Sequence, residues 1–231
     1  MIKLVIFESS NLLIDTGNSS ASVLVSDFLK RTGIVLTPRV CAAELDASRD
    51  FVVSNFGFDS SIHDFERLAL SHFLEKQRVR LSVVDFENLL RSFHDAQVEN
   101  ANLFGDVAPL LKSFKSKAKL CLVAEGPSWR ERKLISKVGI SDLFSARIYS
   151  EELGVNKSTE SFFAYILEKF GVKAQQVVLI TSNTDRDVTS ANRLGICTVL
   201  VDRTQKYKLA DLSIRPKFLV HSLKDISKLP L

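Results

Sequence analysis

Near the start of the chain a short apolar run, Lys3 to Phe7, leads into the four residues Glu8-Ser9-Ser10-Asn11. The run is rich in β-branched residues and reads as a buried strand, which puts Glu8 at the strand's carboxyl end. In an open parallel sheet ligands bind beyond those ends. A carboxylate there could act as a nucleophile or as a general base, although no second acid stands beside it. Other reactive groupings are poorer. His63, His72, His94 and His221 have no metal-ligand spacing with the cysteines and are expected to be ordinary helix-surface residues. Cys41, Cys121 and Cys197 are widely spaced, odd in number and set among apolar residues, so they read as reduced core thiols.

Two kinds of segment must position Glu8. Residues 20 to 99 carry only helical patterns: SASVLVSDFLKRTG, PRVCAAELDASRDFVVSNFG, SIHDFERLALSHFLEKQRV and SVVDFENLLRSFHDAQVE. Ser61 with Asp64, and Ser82 with Asp85, are expected helix starts. From about residue 100 helix and strand alternate: DVAPLLKSFK, AKLCLVAE, SWRERKLISKVG, SARIYS, STESFFAYILEKFG, QVVLITS, DVTSANRLG, CTVLVD and KFLVHSL. Such alternation implies parallel strands joined by right-handed crossovers. Lys3 to Phe7 must join that sheet from across the helical segment. The expected class is therefore α/β, a Rossmann-like parallel sheet, with a core at 1–16 and 100–231 and an all-helical cap at 17–99. The cap's Phe51, Phe56, Phe58, Phe65, Phe73, Phe86 and Phe93 are expected to pack its helices together; the alternative is that some of them line an apolar pocket over Glu8.

Composition narrows the partners. At 231 residues, 45% hydrophobic and 25% charged, the chain can bury a large core. Its net charge of +4 comes from 31 basic and 27 acidic residues, scattered except for Lys112 to Lys119. That run reads as a solvated connection rather than a nucleic-acid patch. No apolar run reaches the roughly 20 residues of a membrane helix, and no signal peptide is expected. A cytoplasmic protein with a small-molecule or protein partner is the expectation.

The order strand, loop, helical insertion and α/β core resembles the haloacid dehalogenase superfamily, in the helical-cap subgroup of 2-haloacid dehalogenases and phosphoglycolate-phosphatase-like hydrolases. The likeness covers essentially the whole chain. KLVIFESSNLLIDT is similar to the family's opening Asp-x-Asp-x-Thr strand and loop, and LVAEGPS to its second motif. GISDLFSARIYSEELGVNKSTESFFAYILEKFGV resembles the third-motif region, and TSNTDRDVTSANRLGICTVLVDR the fourth motif with its following strand.

The resemblance assigns roles that these residues fill only in part. Glu8 takes the place of the family's nucleophilic Asp, and its extra methylene moves the carboxylate by about 1 Å, a misplacement that can cost about 10²-fold in rate. Ser10 takes the place of the acid that protonates the leaving group in the phosphatases, and it has no suitable pKa for that work. Leu12 replaces the motif's Thr. In the second motif Ala124 replaces the hydroxyl that would bond a phosphoryl group, and Glu125 replaces Asn. If Glu125 faces the pocket, two like charges about 4 Å apart repel by about 4 kcal/mol at an effective dielectric of 20; it could equally point to solvent.

Lys157 matches the third-motif lysine, followed by Ser158 where the family often has Pro. It could serve catalysis or form a salt bridge with Glu8. In the fourth motif Thr181-Ser182 replace the phosphatases' first acid, leaving Asp185 and Asp187. Glu8, the Ser10 carbonyl and Asp187 could offer Mg²⁺ three oxygens of the six it takes. Alternatively, Thr181-Ser182-Asn183 resembles the Ser-Ser-Asn of the metal-free dehalogenases, with Asp187 one residue too far on, which makes Asn183 a candidate substrate contact alongside Glu125. Arg39 or Arg49 could reach from the cap toward a substrate carboxylate. Glu8, Ser10, Lys157 and Asp187 are thus the candidate catalytic positions, with no cofactor or a weakly held Mg²⁺ on Glu8 and Asp187.

The expected function is a member of this superfamily that has lost ordinary phosphatase or dehalogenase activity and works as a binding or regulatory module. The alternative is a hydrolase of altered mechanism that uses Glu8. A scaffold within a larger assembly is a third reading.

Overall fold

The computed structural model describes residues 1–16, 18–56, 64–157, 159–183, 187–209, 212 and 214–230, with the side chains of Asn18 and Ser19 left aside. The expected start at Ser61, together with Phe58, His63 and Asp185, lies outside the described residues. A six-stranded sheet organises the molecule in the order β5-β4-β1-β6-β7-β8. Its strands are β1 (Leu4–Glu8), β4 (Lys119–Ala124), β5 (Ala146–Tyr149), β6 (Val177–Thr181), β7 (Cys197–Val201) and β8 (Phe218–Val220). All the ladders between them are parallel.

β1 lies in the middle of this sheet, between β4 and β6, with Phe7 opposite Leu122 and Ile180. Its first four residues are fully buried, as expected of a strand covered on both faces. One face packs Val5 and Phe7 with Leu12, Leu13, Val107 and Leu111. The other packs Leu4 and Ile6 with Phe162, Phe163 and Ile166. The helices of the α/β part are α5 (Val107–Lys115), α6 (Ser128–Lys137), α7 (Ser150–Leu153), α8 (Glu160–Phe170) and α9 (Thr189–Arg193). Lys112 to Lys119 runs from the end of α5 into the start of β4, and its lysines are exposed, in line with a solvated connection.

Four helices lie between β1 and the rest of the sheet in sequence: α1 (Asn18–Arg31), α2 (Pro38–Phe56), α3 (Phe65–Lys76) and α4 (Val83–Glu99). They share a separate apolar cluster that includes Val25, Leu29, Cys41, Leu45, Phe73 and Phe93. Two of their starts are capped by side chains: Asp64 accepts from the Arg67 amide, and Ser82 accepts from the Asp85 amide. Each such cap satisfies one amide that the first helical turn leaves open. The aromatic expectation holds for Phe73 and Phe93, which are buried, whereas Phe51 and Phe56 are exposed. Phe51 instead stacks on His72, with ring centroids 3.9 Å apart.

The chain leaves the sheet through β2 (Ile14–Asp15) and returns through β3 (Asn102–Leu103), and these two short strands pair antiparallel. The helical layer is thus attached by two neighbouring crossings. Among the described residues, no helix is long and apolar enough to cross a membrane.

Candidate functional site

Glu8 is the last residue of β1, at the carboxyl edge of the sheet, and four donor groups converge on its carboxylate. Lys157 Nζ donates to Oε1 at 2.7 Å. Oε2 accepts from Thr181 Oγ1 at 2.9 Å, from the Ser182 amide at 2.8 Å and from Ser182 Oγ at 2.7 Å. Thr181 ends β6, the strand next to β1, so strand register brings its hydroxyl alongside Glu8. Lys157 arrives from the segment between α7 and α8 and is 2% exposed despite its charge.

Asp187, which is fully buried, completes the cluster. Its Oδ2 accepts from Lys157 Nζ at 2.8 Å and lies 2.7 Å from Thr181 Oγ1, whose single proton is shared between this oxygen and Glu8 Oε2, while Oδ1 has no hydrogen-bond partner among the described residues. Two carboxylates therefore share one ammonium. A buried charge is tolerated only when paired and hydrogen-bonded, and the two acids fare differently. Burial pushes the Glu8 carboxyl up, but the Lys157 charge and hydrogen bond, with those from Ser182, outweigh it and hold the group below its ordinary value. For Asp187, burial dominates and the Glu8 charge adds to it, raising the carboxyl to about 6 against the pull of Lys157 and Thr181. Burial would lower Lys157, yet the charges of Asp187, Glu8 and Glu125 hold its ammonium above the ordinary lysine value.

Ser10 continues the loop beyond Glu8. Its hydroxyl is buried without a hydrogen-bond partner among the described residues. Asn11 next to it adopts φ 64°, a left-handed conformation that Asn tolerates better than most residues. The turn closes through the Leu13 and Ile14 amides donating to the Ser9 carbonyl.

A cavity of about 290 Å³ opens over Glu8, lined from the sheet side by Ser10, Ala124, Glu125, Lys157 and Asn183, and from the helical layer by Arg49, Phe65 and Glu66. A larger recess of about 600 Å³ shares Glu8, Asn11, Val53 and Asn183 and extends toward Arg203, Lys206 and Tyr207. Glu125 thus lines the cavity instead of pointing away to solvent. Of the two arginines singled out from sequence, Arg49 lines the cavity and Arg39 lies exposed on α2. The Arg49 guanidinium is already engaged by Glu66, at 3.0, 3.1 and 2.9 Å, and by Asp46. The cavity lining carries four acids, Glu8, Glu66, Glu125 and Glu131, against two bases, Arg49 and Lys157.

A magnesium ion on Glu8 and Asp187 does not fit this donor set. Mg²⁺ needs oxygens presented octahedrally, whereas Glu8 Oε2 faces three donors, Oε1 is tied to Lys157 and that ammonium bridges the two acids. Among the described residues, no group of three or more His, Cys, Asp or Glu side chains could hold a metal.

Residues 25–195 match the family model of haloacid dehalogenase-like hydrolases. The chain belongs to that family. Glyceraldehyde 3-phosphate phosphatase of Methanopyrus kandleri is 28% identical over 148 residues, 59% of this chain and 63% of that protein. The corresponding phosphatase of Methanocaldococcus jannaschii is 26% identical over 136 residues, 58% of this chain and 59% of that protein. The chain therefore spans less than two thirds of the length of these curated relatives. Among solved structures, a HAD-hydrolase of Bacillus subtilis bound to magnesium superposes with a TM-score of 0.81 at 16% identity, over 98% of this chain and 97% of that one. A 2-haloacid dehalogenase of Pseudomonas syringae gives 0.67 at 21% identity, over 99% and 97%. These likenesses establish the fold of this HAD-like chain.

Of the sequence-selected positions, Glu8, Lys157 and Asp187 meet directly, while Ser10, Glu125 and Asn183 line the cavity beside them. Thr181 and Ser182, which the sequence offers as replacements for an acid pair or as part of a Ser-Ser-Asn-like run, supply three of the four donors to Glu8. Sequence reading missed the buried residues Arg130 and Glu131, and it placed His94 on a helix surface where the structure has it 1% exposed.

Proposed function

We propose that this HAD-like chain is a binding or regulatory module whose cavity over Glu8 holds a ligand without ordinary phosphatase or dehalogenase turnover. The observation that carries this reading is that both Glu8 oxygens are engaged by neighbouring donors. A nucleophile needs a lone pair aimed at the reacting atom, whereas Glu8 Oε2 faces three donors at the end of β6 and Oε1 is tied to the Lys157 ammonium. Ala124 offers no hydroxyl to an incoming anion, Ser10 offers no general acid, and the two bases of the lining, Arg49 and Lys157, are already paired with Glu66 and with Glu8 and Asp187. The proposal divides the chain into a core at 1–16 and 100–231 and a helical cap at 17–99. It places the protein in the cytoplasm, in keeping with three unbridged cysteines.

A second reading, a hydrolase of altered mechanism, draws on one specific observation. Glu8 and Asp187 have environments that push their carboxyl groups in opposite directions, and such divergence is how one site separates an acid from a base.

Incubation with a 2-haloacid, followed by assay of released halide and intact-mass measurement of the denatured protein, separates the two; the binding reading predicts no halide release, and release without an adduct would assign Glu8 or Asp187 as a general base. The binding reading predicts an unchanged mass. An ester adduct mapped to Glu8 would replace it with the hydrolase reading.

A further inference from the structure

The seam between α4 and α6 is built from charge and hydrogen bonds. Arg130, Lys133 and Lys137 fall on one face of α6, at the spacing that brings residues of neighbouring turns together. Arg130 Nη1 lies 3.2 Å from Gln97 Oε1 and 3.4 Å from His94 Nδ1. Lys133 Nζ donates to Asp95 at 2.9 Å, and Lys137 Nζ donates to the Glu99 carbonyl. Trp129 packs edge-on to His94, with ring centroids 5.8 Å apart. A polar seam of this kind favours relative movement of the parts it joins.

One member of the seam reaches further. Arg130 is buried, and its Nε and Nη2 donate to Glu131 Oε1 at 3.2 and 2.6 Å. Glu131 is fully buried, and its other oxygen, Oε2, accepts from Ser9 Oγ at 2.8 Å. Ser9, also fully buried, is the residue after Glu8, and its carbonyl accepts from Leu13 and Ile14 to close the turn. A chain of contacts thus runs from α4 through Gln97, Arg130 and Glu131 to Ser9, with both Glu131 oxygens used to pass it on.

We propose that Arg130 and Glu131 form a strut that couples docking of the helical layer to the shape of the loop after β1. With α4 seated on α6, Arg130 is held by Gln97 and in turn holds Glu131 against Ser9; when the seam opens, Arg130 loses its partners on α4 and its hold on Glu131, and through it on Ser9, slackens. Because Glu131 also lines the cavity, a ligand there that favours the seated form must in turn be favoured by seating, since coupling between two sites is reciprocal. That last consequence rests on the binding reading above, but the strut does not, and its test uses no ligand.

The test is residue-resolved amide hydrogen exchange by NMR on the full chain. Gln97→Leu removes the acceptor on α4, Asp95→Ala loosens the exposed part of the seam, and Ser9→Ala removes the far end of the strut. The strut predicts that Gln97→Leu raises exchange at the Leu13 and Ile14 amides about tenfold, and Asp95→Ala less but at the same amides. It also predicts that Gln97→Leu adds nothing further once Ser9→Ala is in place. Faster exchange confined to α4 and α6, or Gln97→Leu and Ser9→Ala effects that simply add at the loop, would overturn it. If Gln97→Leu does not fold, Asp95→Ala with and without Ser9→Ala gives the same decision.

Discussion

Lys157 Nζ lies 2.7 Å from Glu8 Oε1, so the carboxylate at the carboxyl end of β1 is one end of a buried ion pair. The same ammonium meets Asp187 at 2.8 Å. The local cluster therefore has one cation for two acids and depends on that cation.

Replacing Lys157 with Met should be severely destabilising at neutral pH. Removing one partner of a buried pair leaves an uncompensated charge, at a cost of about 3–5 kcal/mol. Urea denaturation of Lys157→Met at pH 8 and pH 5 checks this. The loss should be smaller at pH 5, where the orphaned acids can take up protons.

Asp187 should give stability an inverted pH dependence. Its folded carboxyl titrates at about 6, above the 3.8 of an unperturbed aspartate. Between those values the folded chain binds the proton and the unfolded chain does not, so this contribution is complete below about pH 4 and is lost as pH rises through 6. Glu8 works the other way: its lowered value stabilises the fold above the ordinary glutamate range and is lost as pH falls toward that lowered value. In Asp187→Asn, denaturation curves between pH 4 and 7 should lose the decline that wild type shows over that interval. A decline unchanged in Asp187→Asn would assign it to other groups.

Phe7 ties the site to the core. It precedes Glu8 in β1 and packs edge-on against Phe114 and Phe144, with centroids 6.1 and 6.3 Å away. Phe7→Ala should cost about 3–5 kcal/mol, as deletion of a buried ring does. Because Glu8 is held by hydrogen bonds that depend on strand register, the variant should also increase exchange at the Ser182 amide. Thermal unfolding and hydrogen exchange measure the two effects.

Much of the fold was legible because long periodic segments carry strong signals. The apolar run at Lys3 to Phe7 could be a strand only with partners, and the later alternation supplied them; β4 and β6 flank it. Ser82 announced the start of α4 by its residue type. β2 and β3 were illegible, since two residues each show no period. At the site, the Lys157 ion pair with Glu8 was one of two readings, and the pair is present. Glu125 had no such signal, because a single residue beyond a strand end can turn either way. Arg130 and Glu131 look like surface residues in the run SWRERK and are buried only through contacts made from α4 and Ser9. His94 did carry a signal that was passed over: with Leu90, Phe93 and Gln97 it follows the helical period of the buried face of α4.

The most direct measurement is turnover of a generic phosphomonoester and of a 2-haloacid, with and without Mg²⁺, by folded wild-type protein, Glu8→Asp and Glu8→Gln. The account predicts that the wild type stays at the level of the protein-free blank and that Glu8→Gln does not differ from it. Wild-type turnover that disappears in Glu8→Gln would contradict it and make Glu8 a catalytic residue.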